Sequence, residues 1–461
     1  MNKTSKNPEL LAPAGNIVSA ITAFSAGADA VYAGLSHFNA RARTENFTVE
    51  ELAKTITYAH SNGKKVYVTL NTIIKEQEIA NFAKVVATVA SLEADAVIIQ
   101  DFGALRIVRD YFPMLAIHAS TQMGIHNLPG CRLAKELGIK RVILERQISF
   151  EELSCIAESS PVELEIFIHG ALCCSISGSC LLSSWISGES GNRGECKQNC
   201  RRKFLDSSGK QAYFLSTKDL CLLEDISKIK KIGITALKIE GRLKKNDYVQ
   251  NTVRAYRIVL DADEKNLNEA IKEAKDVLAL VYGRKTVRLF SGQKPFSEIL
   301  NPTESGTTGV LCGKVLKSSN SGFYLLCKRK IHLGDRLRLQ TPDQRSTCIL
   351  TVNRILINNK DRVECLPGSE CFIPSTRMPK PGVNAFKIGE SITDYAKKIA
   401  NLPTSIPRPI SVKIKINNNG LFAEARNPFA TLNWSRKAEF FPARQHPITK
   451  EKIVEEFSKS N

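Results

Sequence analysis

The sequence lacks any segment that would serve as a membrane span. The longest uncharged run, residues 170–188, contains six serines and three cysteines, which are too many polar groups for the core of a bilayer. The first eight residues lack the apolar core of a secretory signal. We therefore expect a cytoplasmic protein, in which thiols stay reduced.

Two hydrolase motifs are also missing. There is no His-Glu-x-x-His zinc motif and no Gly-x-Ser-x-Gly nucleophile elbow. Low-complexity tracts and solenoid repeats are absent as well. With 43% hydrophobic and 24% charged residues, the 461-residue chain can bury a core, which argues against a disordered or fibrous protein and allows two or three domains.

Acidic residues are scarce relative to basic ones. The 46 Asp and Glu against 65 Lys and Arg leave a net charge of +19, which favours a polyanionic partner such as structured RNA. Residues 193–257 alone hold 16 basic and 7 acidic residues. This concentration predicts a phosphate-binding patch beside a group of cysteines, although a solvated basic helix face at residues 228–231 and 244–245 is the alternative.

Most of the first 300 residues repeat one pattern, an apolar run followed by a segment with helical periodicity. The predicted strands are residues 10–13, 30–33, 65–70, 96–100, 116–118, 141–144, 163–168 and 236–239. The predicted helices are residues 16–26, 48–62, 79–93, 103–111, 129–137 and 149–157, the last beginning with a capping box of Ser149 and Glu152. Eight strand–helix units favour a TIM-like (β/α)₈ barrel over a doubly wound open sheet.

Polar residues follow the predicted strands, where a barrel places its catalytic groups. Any one of them is also explained as a loop cap, but together they predict a polar basin at the residues Asn71, Gln100, Asp101, His118, Gln122, Glu145, Arg146, His169, Lys218, Asp219, Glu240 and Arg242. Lys238 and Glu240 share one strand face, so they either face the basin together or form a structural ion pair.

Five cysteines fall within 28 residues: Cys173, Cys174, Cys180, Cys196 and Cys200. Intervening glycines and serines would let this loop fold around an ion. The irregular spacing favours an iron–sulfur cluster over zinc, with unligated thiols or a single nucleophile as the third alternative. The other cysteines are predicted to be small core residues: Cys131, Cys155, Cys221, Cys312, Cys327, Cys348, Cys365 and Cys371.

After residue 303 the pattern changes to short β-like runs at residues 309–315, 322–327, 335–339 and 348–355. These runs predict a small antiparallel β-barrel domain over residues 305–390, appended to a barrel domain over residues 1–300. A proline-rich connector leads to a short C-terminal α+β segment, residues 391–461, with a strand at 410–416 and a helix near 449–457.

Several motifs together resemble those of the collagenase-like peptidase family U32. They are Glu165-Ile166-Phe167-Ile168-His169-Gly170-Ala171-Leu172-Cys173, Ser177-Gly178-Ser179-Cys180, Asn192-Arg193-Gly194-Glu195-Cys196, His118-Ala119-Ser120-Thr121-Gln122 and Lys238-Ile239-Glu240-Gly241-Arg242. The resemblance covers about residues 9–300. The C-terminal segment would then be the start of a truncated family tail domain.

The resemblance implies a TIM-like barrel that carries a four-iron cluster on Cys173, Cys180, Cys196 and Cys200. The family members most similar to this chain are RNA hydroxylases that act on carbon-5 of a pyrimidine, either a ribosomal RNA cytidine or the wobble uridine of a tRNA. Prephenate is implicated as the co-substrate that supplies the hydroxyl. The Ala-Leu-Cys sequence after His169 and the tail at residues 447–451 look more like the ribosomal branch.

A small dicarboxylate would need cationic groups, for which the strand ends offer Arg146, Lys238 and Arg242. Asn71 and Gln122 are predicted to complete the co-substrate site, while His118, His169 and Glu240 join Lys238 and Arg242 as predicted catalytic residues. Predicted RNA contacts are Arg201, Arg202 and Lys203. Two alternatives stay open: a peptidase using Cys174 with His169, and a non-catalytic cluster-bearing RNA-binding or assembly factor.

Overall fold

The structure is a computed structural model with two compact units, Met1–Thr404 and Ser405–Asn461. It describes residues 7–41, 45–279, 281, 283–288, 296–303, 309–340, 347–389, 395–405, 411–417, 420–426, 431–437, 439 and 449–452. The predicted domain boundaries near residues 300 and 390 lie inside the first unit and stay predictions.

Eight parallel strands close into a barrel, which confirms the predicted fold class and each predicted strand. They are Glu9–Pro13, Ala30–Ala33, Lys65–Leu70, Ala96–Ile99, Ile117–Ala119, Arg141–Ile143, Glu163–Ala171 and Ala236–Ile239. The eighth strand pairs with both the first and the seventh, so the barrel has no open edge. All eight carboxyl ends therefore meet at one mouth.

Helices surround the barrel, and the six predicted from periodicity are present. The helices of this region are Ile17–Ser25, Val49–Ser61, Ile79–Ser91, Phe102–Tyr111, Leu128–Glu136, Phe150–Ser159, Ile226–Lys231, Asn246–Asp261 and Leu267–Leu278. The capping box of Ser149 and Glu152 forms as predicted. Among the described residues, no helix combines the length and apolar character needed to span a bilayer.

The chain between the seventh and eighth barrel strands is long and forms small elements. They are a helix at Leu182–Ser187, 3₁₀ turns at Gly191–Arg193, Asn199–Arg201 and Leu223–Asp225, and strands at Phe204–Leu205, Gln211–Ala212 and Asp219–Cys221. The last of these strands pairs antiparallel with the end of the seventh barrel strand and parallel with Thr286–Val287. This insertion places the five-cysteine segment at the mouth of the barrel.

The predicted β-rich region follows, and its strands are antiparallel as expected. Eight of them form one sheet in the order Thr347–Thr351, Arg336–Gln340, Asn384–Gly389, Val310–Ser319, Gly322–Cys327, Glu370–Pro374, Ile355–Ile357 and Lys360–Arg362. Ile331–His332 and Glu364–Cys365 form a further two-stranded ladder. These strands enclose a separate apolar core.

The second unit contains an antiparallel sheet of Ser411–Asn417, Gly420–Arg426 and Thr431–Arg436. Its first strand matches the strand predicted at 410–416, although residue 410 lies outside the described residues. Of the predicted helix near 449–457, residues 450–452 are helical and residues 453–457 lie outside the described part, as do residues 447 and 448 of the family-like tail.

Candidate functional site

A cavity of about 180 Å³ opens at the mouth of the barrel, at the carboxyl ends of the strands. Five of the residues predicted for the polar basin line it: Asn71, Gln122, Arg146, Glu240 and Arg242. Its walls include Tyr32, Arg41, Asn71, Gln122, Arg146, Phe167, Cys173, Cys180, Cys196, Lys238, Glu240 and Arg242. Nine of these residues were predicted for the catalytic, co-substrate or metal roles, and the structure adds Tyr32, Arg41 and Phe167 to the same space.

Glu240 is the acidic group of the cavity wall and lies between two arginines. Its carboxylate oxygens are 3.2 Å from the Arg41 guanidinium and 3.5 Å from that of Arg146. Burial alone would raise the pKa of Glu240, but Arg41 and Arg146 lower it below its ordinary value. The carboxylate therefore stays ionised and holds both arginines at the cavity.

Arg242 is held in a different way, by neutral acceptors. Its two terminal nitrogens donate to Thr69 Oγ1 at 2.7 Å and to Asn39 Oδ1 at 2.5 Å. Burial, reinforced by Arg41, lowers its pKa to about 10. A side chain at Gly34 would overlap the Arg242 guanidinium and the Thr69 hydroxyl, so the glycine leaves room for the hydrogen bond between them. Arg242 is a buried cation whose charge suits an anionic ligand.

Beneath the cavity the barrel interior is unusually polar. Lys238 Nζ donates to Glu165 Oε1 at 2.8 Å, and Arg141 bridges Glu165 to Glu9. His118 lies in this layer, 2% exposed and packed edge-on against Tyr67. Burial, with Arg141 and Lys238 nearby, lowers the pKa of His118 well below its ordinary value. We find His118 among the supports below the cavity and not on its lining.

Four buried polar atoms on or directly after the barrel strands have no hydrogen-bond partner among the described residues: Gln100 Oε1, His118 Nδ1, Gln122 Oε1 and Arg146 Nε. Gln122 and Arg146 both line the cavity. Because buried polar groups are almost always paired, the two atoms indicate that the cavity is built for a polar ligand. Asn71 is already committed, since it accepts from Ala40 N and donates to Ser120.

The segment of residues 172–203, here called the cysteine loop, covers one side of the cavity. Cys173, Cys180 and Cys196 line it, whereas Cys174 hydrogen-bonds to Cys200. That bond lowers the pKa of Cys200 to about 6. Cys200 also interacts electrostatically with Cys173. The loop therefore gathers all five sulfur-bearing residues at one end of the barrel, a donor set that suits a thiolate-bound metal group.

Polar contacts fix the cysteine loop to the barrel. The Glu145 carboxylate accepts from the backbone nitrogens of Ser177 and Arg146. Arg193 makes two hydrogen bonds with the Glu78 carboxylate, at 2.6 and 2.9 Å. Gly178 has a positive φ of 86°, and any side chain there would overlap the backbone of residue 122. The loop is thus held in one position against the cavity.

Some predicted site residues lie elsewhere. His169 lines a second cavity of about 300 Å³ with Asp219, Tyr248 and Arg284, and its Nδ1 atom is 3.3 Å from the Tyr256 hydroxyl. It therefore faces the outer helices and is absent from the described lining of the mouth cavity. Asp101 caps the helix that follows it and Lys218 donates to a backbone carbonyl, so both have the structural role of a loop cap.

The predicted RNA contacts divide into two kinds. Arg201 donates to the carbonyls of Leu172 and Thr217 and to two hydroxyls, which makes it a support of the cysteine loop. Arg202 and Lys203 are exposed. Residues 193–257 contain more basic than acidic side chains, but two of the basic ones, Lys238 and Arg242, are buried in the barrel. The basic excess of this segment therefore lies only partly on the surface.

Sequence reasoning missed several residues. Arg41 lies in a long loop without any motif, and Trp185 gave no signal either, although it is 86% exposed on the short helix of the cysteine loop. Cys155 is exposed on a helix, which corrects its prediction as a core residue, whereas Cys221 and Cys348 are partly buried and pack against the two apolar cores. The sulfurs of Cys327, Cys365 and Cys371 lie within 4.8 Å of one another, an arrangement able to hold a metal ion.

A closed (β/α)₈ barrel with a polar, cysteine-rimmed cavity at its carboxyl end has the architecture of a barrel enzyme. The sequence profile described as Peptidase family U32 matches residues 15–301. The chain belongs to this family, as the motifs predicted.

Relatives within the family carry different names. A tRNA hydroxylation protein P of Haemophilus influenzae is 29% identical over 435 residues, covering 80% of this chain and 93% of the relative. A collagenase of Porphyromonas gingivalis is 34% identical and covers 82% and 97%. A 23S rRNA 5-hydroxycytidine synthase of Escherichia coli is 34% identical, covering 57% of this chain and 40% of the relative.

Proposed function

We propose that this protein is an iron–sulfur-dependent RNA modification enzyme that hydroxylates carbon-5 of a pyrimidine. A ribosomal RNA cytidine is the favoured substrate, on the sequence motifs given above, and a tRNA wobble uridine is the next. The observation that carries the proposal is that buried cationic side chains and three cysteines line the same cavity at the barrel mouth. Relatives named for hydroxylation of tRNA and of 23S rRNA support it.

The four cysteines Cys173, Cys180, Cys196 and Cys200 would hold a four-iron cluster, which when bound supplies redox and Lewis-acid chemistry next to the cavity. Cys174 is left as a hydrogen-bonding neighbour of Cys200. The protein's part is to fix these thiols, through the contacts of Glu145, Arg193 and Arg201 that hold the cysteine loop.

The cationic wall of the cavity would bind a small dicarboxylate such as prephenate. Arg146 and Arg242 present planar guanidinium groups that match carboxylate geometry, and Lys238 adds a third charge. Gln122, whose Oε1 atom lacks a partner, would orient the co-substrate. In the net reaction a C–H bond at carbon-5 is replaced by C–OH, which is a two-electron oxidation of the base. A co-substrate that donates its hydroxyl balances this step by breaking its own C–OH bond and leaving with a C–H bond in its place, so that it takes up the displaced hydrogen and the two electrons.

The rim of the mouth offers features suited to RNA. Arg202 and Lys203 are exposed at the end of the cysteine loop and can contact phosphates. Trp185 is exposed on the same loop, where its ring can stack on an unpaired base. We therefore also propose that the substrate is RNA and that the protein acts in the cytoplasm.

The peptidase alternative rests on the name of the collagenase relative. A cysteine protease would need a thiol beside a base. Here Cys174 is engaged by Cys200, and the Nδ1 atom of His169 contacts Tyr256. The geometry therefore favours hydroxylation, and the cavity favours an enzyme over a non-catalytic assembly factor.

The decisive experiment deletes the gene and quantifies hydroxypyrimidine nucleosides by mass spectrometry, separately in ribosomal RNA and tRNA. We expect one RNA class to lose its hydroxynucleoside and to regain it with the wild-type gene. Complementation with Cys196→Ser should fail, whereas Cys155→Ser, at an exposed cysteine outside the loop, should succeed. Unchanged nucleosides in both RNA classes would reject the proposal.

A further inference from the structure

The β-rich region contains a cysteine group unrelated to the barrel mouth. Cys327 ends one sheet strand, Cys371 lies in the adjacent strand, and Cys365 ends a strand of the two-stranded ladder. All three side chains are buried in the same apolar core, with at most 1% exposed. Cys365 and Cys371, on either side of one turn, thus meet Cys327 at one point, and Cys327 is 44 residues from Cys371 in sequence.

The spacing of the sulfurs matches a metal site. The Sγ atoms of Cys327 and Cys371 are 3.8 Å apart, and all three Sγ atoms lie within 4.8 Å of one another. Two thiolates on a tetrahedral zinc ion, with Zn–S bonds of about 2.3 Å, are separated by about 3.8 Å. A disulfide would instead require a separation of about 2.05 Å and would leave the third thiol over.

A fourth cysteine in the same core gives a comparison. Cys312 is equally buried, and its thiol donates to the Ala385 carbonyl at 3.2 Å. The Cys365 sulfur has its backbone carbonyls, those of Leu366 and Ser369, only at 3.9 and 3.8 Å. Cys312 thus behaves as an ordinary buried thiol, whereas the other three face one another.

The turn between Cys365 and Cys371 is tied to the third cysteine. Gly368 N donates to the Cys327 carbonyl at 2.7 Å, and Cys327 N donates to the Ser369 carbonyl at 2.9 Å. Gly368 has a φ of 81°, a left-handed conformation that favours glycine. The backbone is thereby held with the three thiols facing the same space before any ion binds.

We propose that Cys327, Cys365 and Cys371 form a structural zinc site that joins the large sheet to the two-stranded ladder. Binding releases three thiol protons, and the divalent charge offsets three thiolates that the apolar core would not otherwise tolerate. One coordination position remains for a fourth ligand. The site shares no cysteine with the proposed iron–sulfur group and does not depend on the proposed function.

Zinc and iron are measured by mass spectrometry in the full-length protein purified without chelators, and then after addition of one equivalent of zinc. We expect about one zinc per chain, lost in Cys365→Ser and in Cys371→Ser but kept in Cys312→Ser and Cys196→Ser. Zinc content that is unchanged in Cys365→Ser, or a wild-type protein that takes up no zinc, would overturn the site.

A second measurement needs no variant and so does not depend on how the variants fold. Wild-type protein depleted of zinc and titrated with Co²⁺ should develop thiolate charge-transfer bands and the strong visible bands of tetrahedral cobalt. The same titration of Cys312→Ser should match it. Absence of these bands, or a Cys327–Cys371 disulfide found by peptide mapping of the freshly isolated protein, would overturn the proposal.

Discussion

Lys238 and Glu165 form an ion pair inside the barrel, with Nζ 2.8 Å from Oε1 and side chains only 5% and 0% exposed. Arg141 lies 3.3 Å from the other oxygen of the same carboxylate. Removing one member of such a pair leaves a buried charge without compensation. The pair therefore supports the floor of the cavity, which Lys238 also lines.

From this relationship we predict that Glu165→Gln lowers the free energy of unfolding by about 3–5 kcal/mol, because the buried Lys238 loses its ion-pair partner. Arg141 keeps its pairs with Glu9 and Glu163. The control is Glu264→Gln in the exposed pair with Lys231, which should change stability little. Urea denaturation of both variants provides the measurement. If Glu165→Gln and Glu264→Gln lowered the free energy of unfolding equally, the buried ion pair would stabilise the protein no more than an exposed one.

A pH dependence follows from His169. Burial lowers its pKa to about 4, helped by Lys244 and opposed by Asp219, whereas an unfolded histidine titrates near about 6.5. Between these values the unfolded chain binds a proton that the folded chain does not, so stability falls as pH drops from about 6.5 to 4. His169→Phe should remove up to about 3 kcal/mol of this loss.

The measurement is the free energy of unfolding at pH 7, 5.5 and about 4. His126→Phe, which replaces an exposed histidine, is the control and should keep the wild-type pH profile. If His169→Phe loses as much stability on acidification as the wild type, His169 is not held neutral by its surroundings.

His169 also marks the limit of the sequence prediction. The barrel strands were predictable because each is a buried run of apolar residues, and alternation correctly placed Lys238 and Glu240 on one face. The same alternation along the seventh strand would put His169 inside with Glu165 and Phe167. A register shift between the seventh and eighth strands, where Phe167 pairs with Lys238 and His169 with Ile239, turns it outward.

Other parts of the site depend on contacts between distant segments. Cys173, Cys180 and Cys196 were found from their clustering in sequence, and the structure brings them to one cavity. Arg41 was not predictable, because its role comes from meeting Glu240 across 199 residues of chain. Cys327 and Cys365 likewise meet only through strand pairing, which a sequence without an obvious ligand spacing does not reveal.

The cysteine loop leads to a prediction for metal content. Protein purified without oxygen should be brown and contain about four irons and four sulfides per chain. Cys173→Ser, Cys180→Ser, Cys196→Ser and Cys200→Ser should each bleach it, whereas Cys155→Ser should not, since that residue lies on an outer helix. Colourless protein with stoichiometric zinc on these four residues would contradict the iron assignment.

For the proposed RNA binding, Arg202 and Lys203 are better candidates than Arg201, because they are exposed whereas Arg201 donates its hydrogen bonds within the protein. Replacing both by Gln should weaken binding of structured RNA and lower the slope of log K against log salt by about 1–2, since each phosphate contact contributes about one unit. The control replaces Lys135 and Lys140, which are exposed near the opposite end of the barrel. A slope equal to that of the wild type would assign the pair to solvated surface.

Arg242 gives the sharpest test of the co-substrate site. Its guanidinium is buried at the cavity and held by Asn39 and Thr69, so it has charge available for a carboxylate. Arg242→Lys keeps the charge but loses the two-pronged geometry, and we expect the yield of hydroxynucleoside to fall at least about tenfold at low donor concentration. Iron content and RNA affinity should remain as in the wild type, because the Arg242 guanidinium donates to Thr69 and Asn39 and is buried, whereas Arg202 and Lys203 are exposed. The assay measures hydroxynucleoside yield with purified protein across a range of dicarboxylate concentrations.

The control, Arg257→Lys, changes an arginine that pairs with Asp29 and is absent from the described lining of the mouth cavity. Partial recovery at high donor concentration would identify a binding role, since only the affinity for the donor is then impaired. Normal yield at every concentration would remove Arg242 from the site, and a loss of yield matched by a lower melting temperature would reduce it to a structural support.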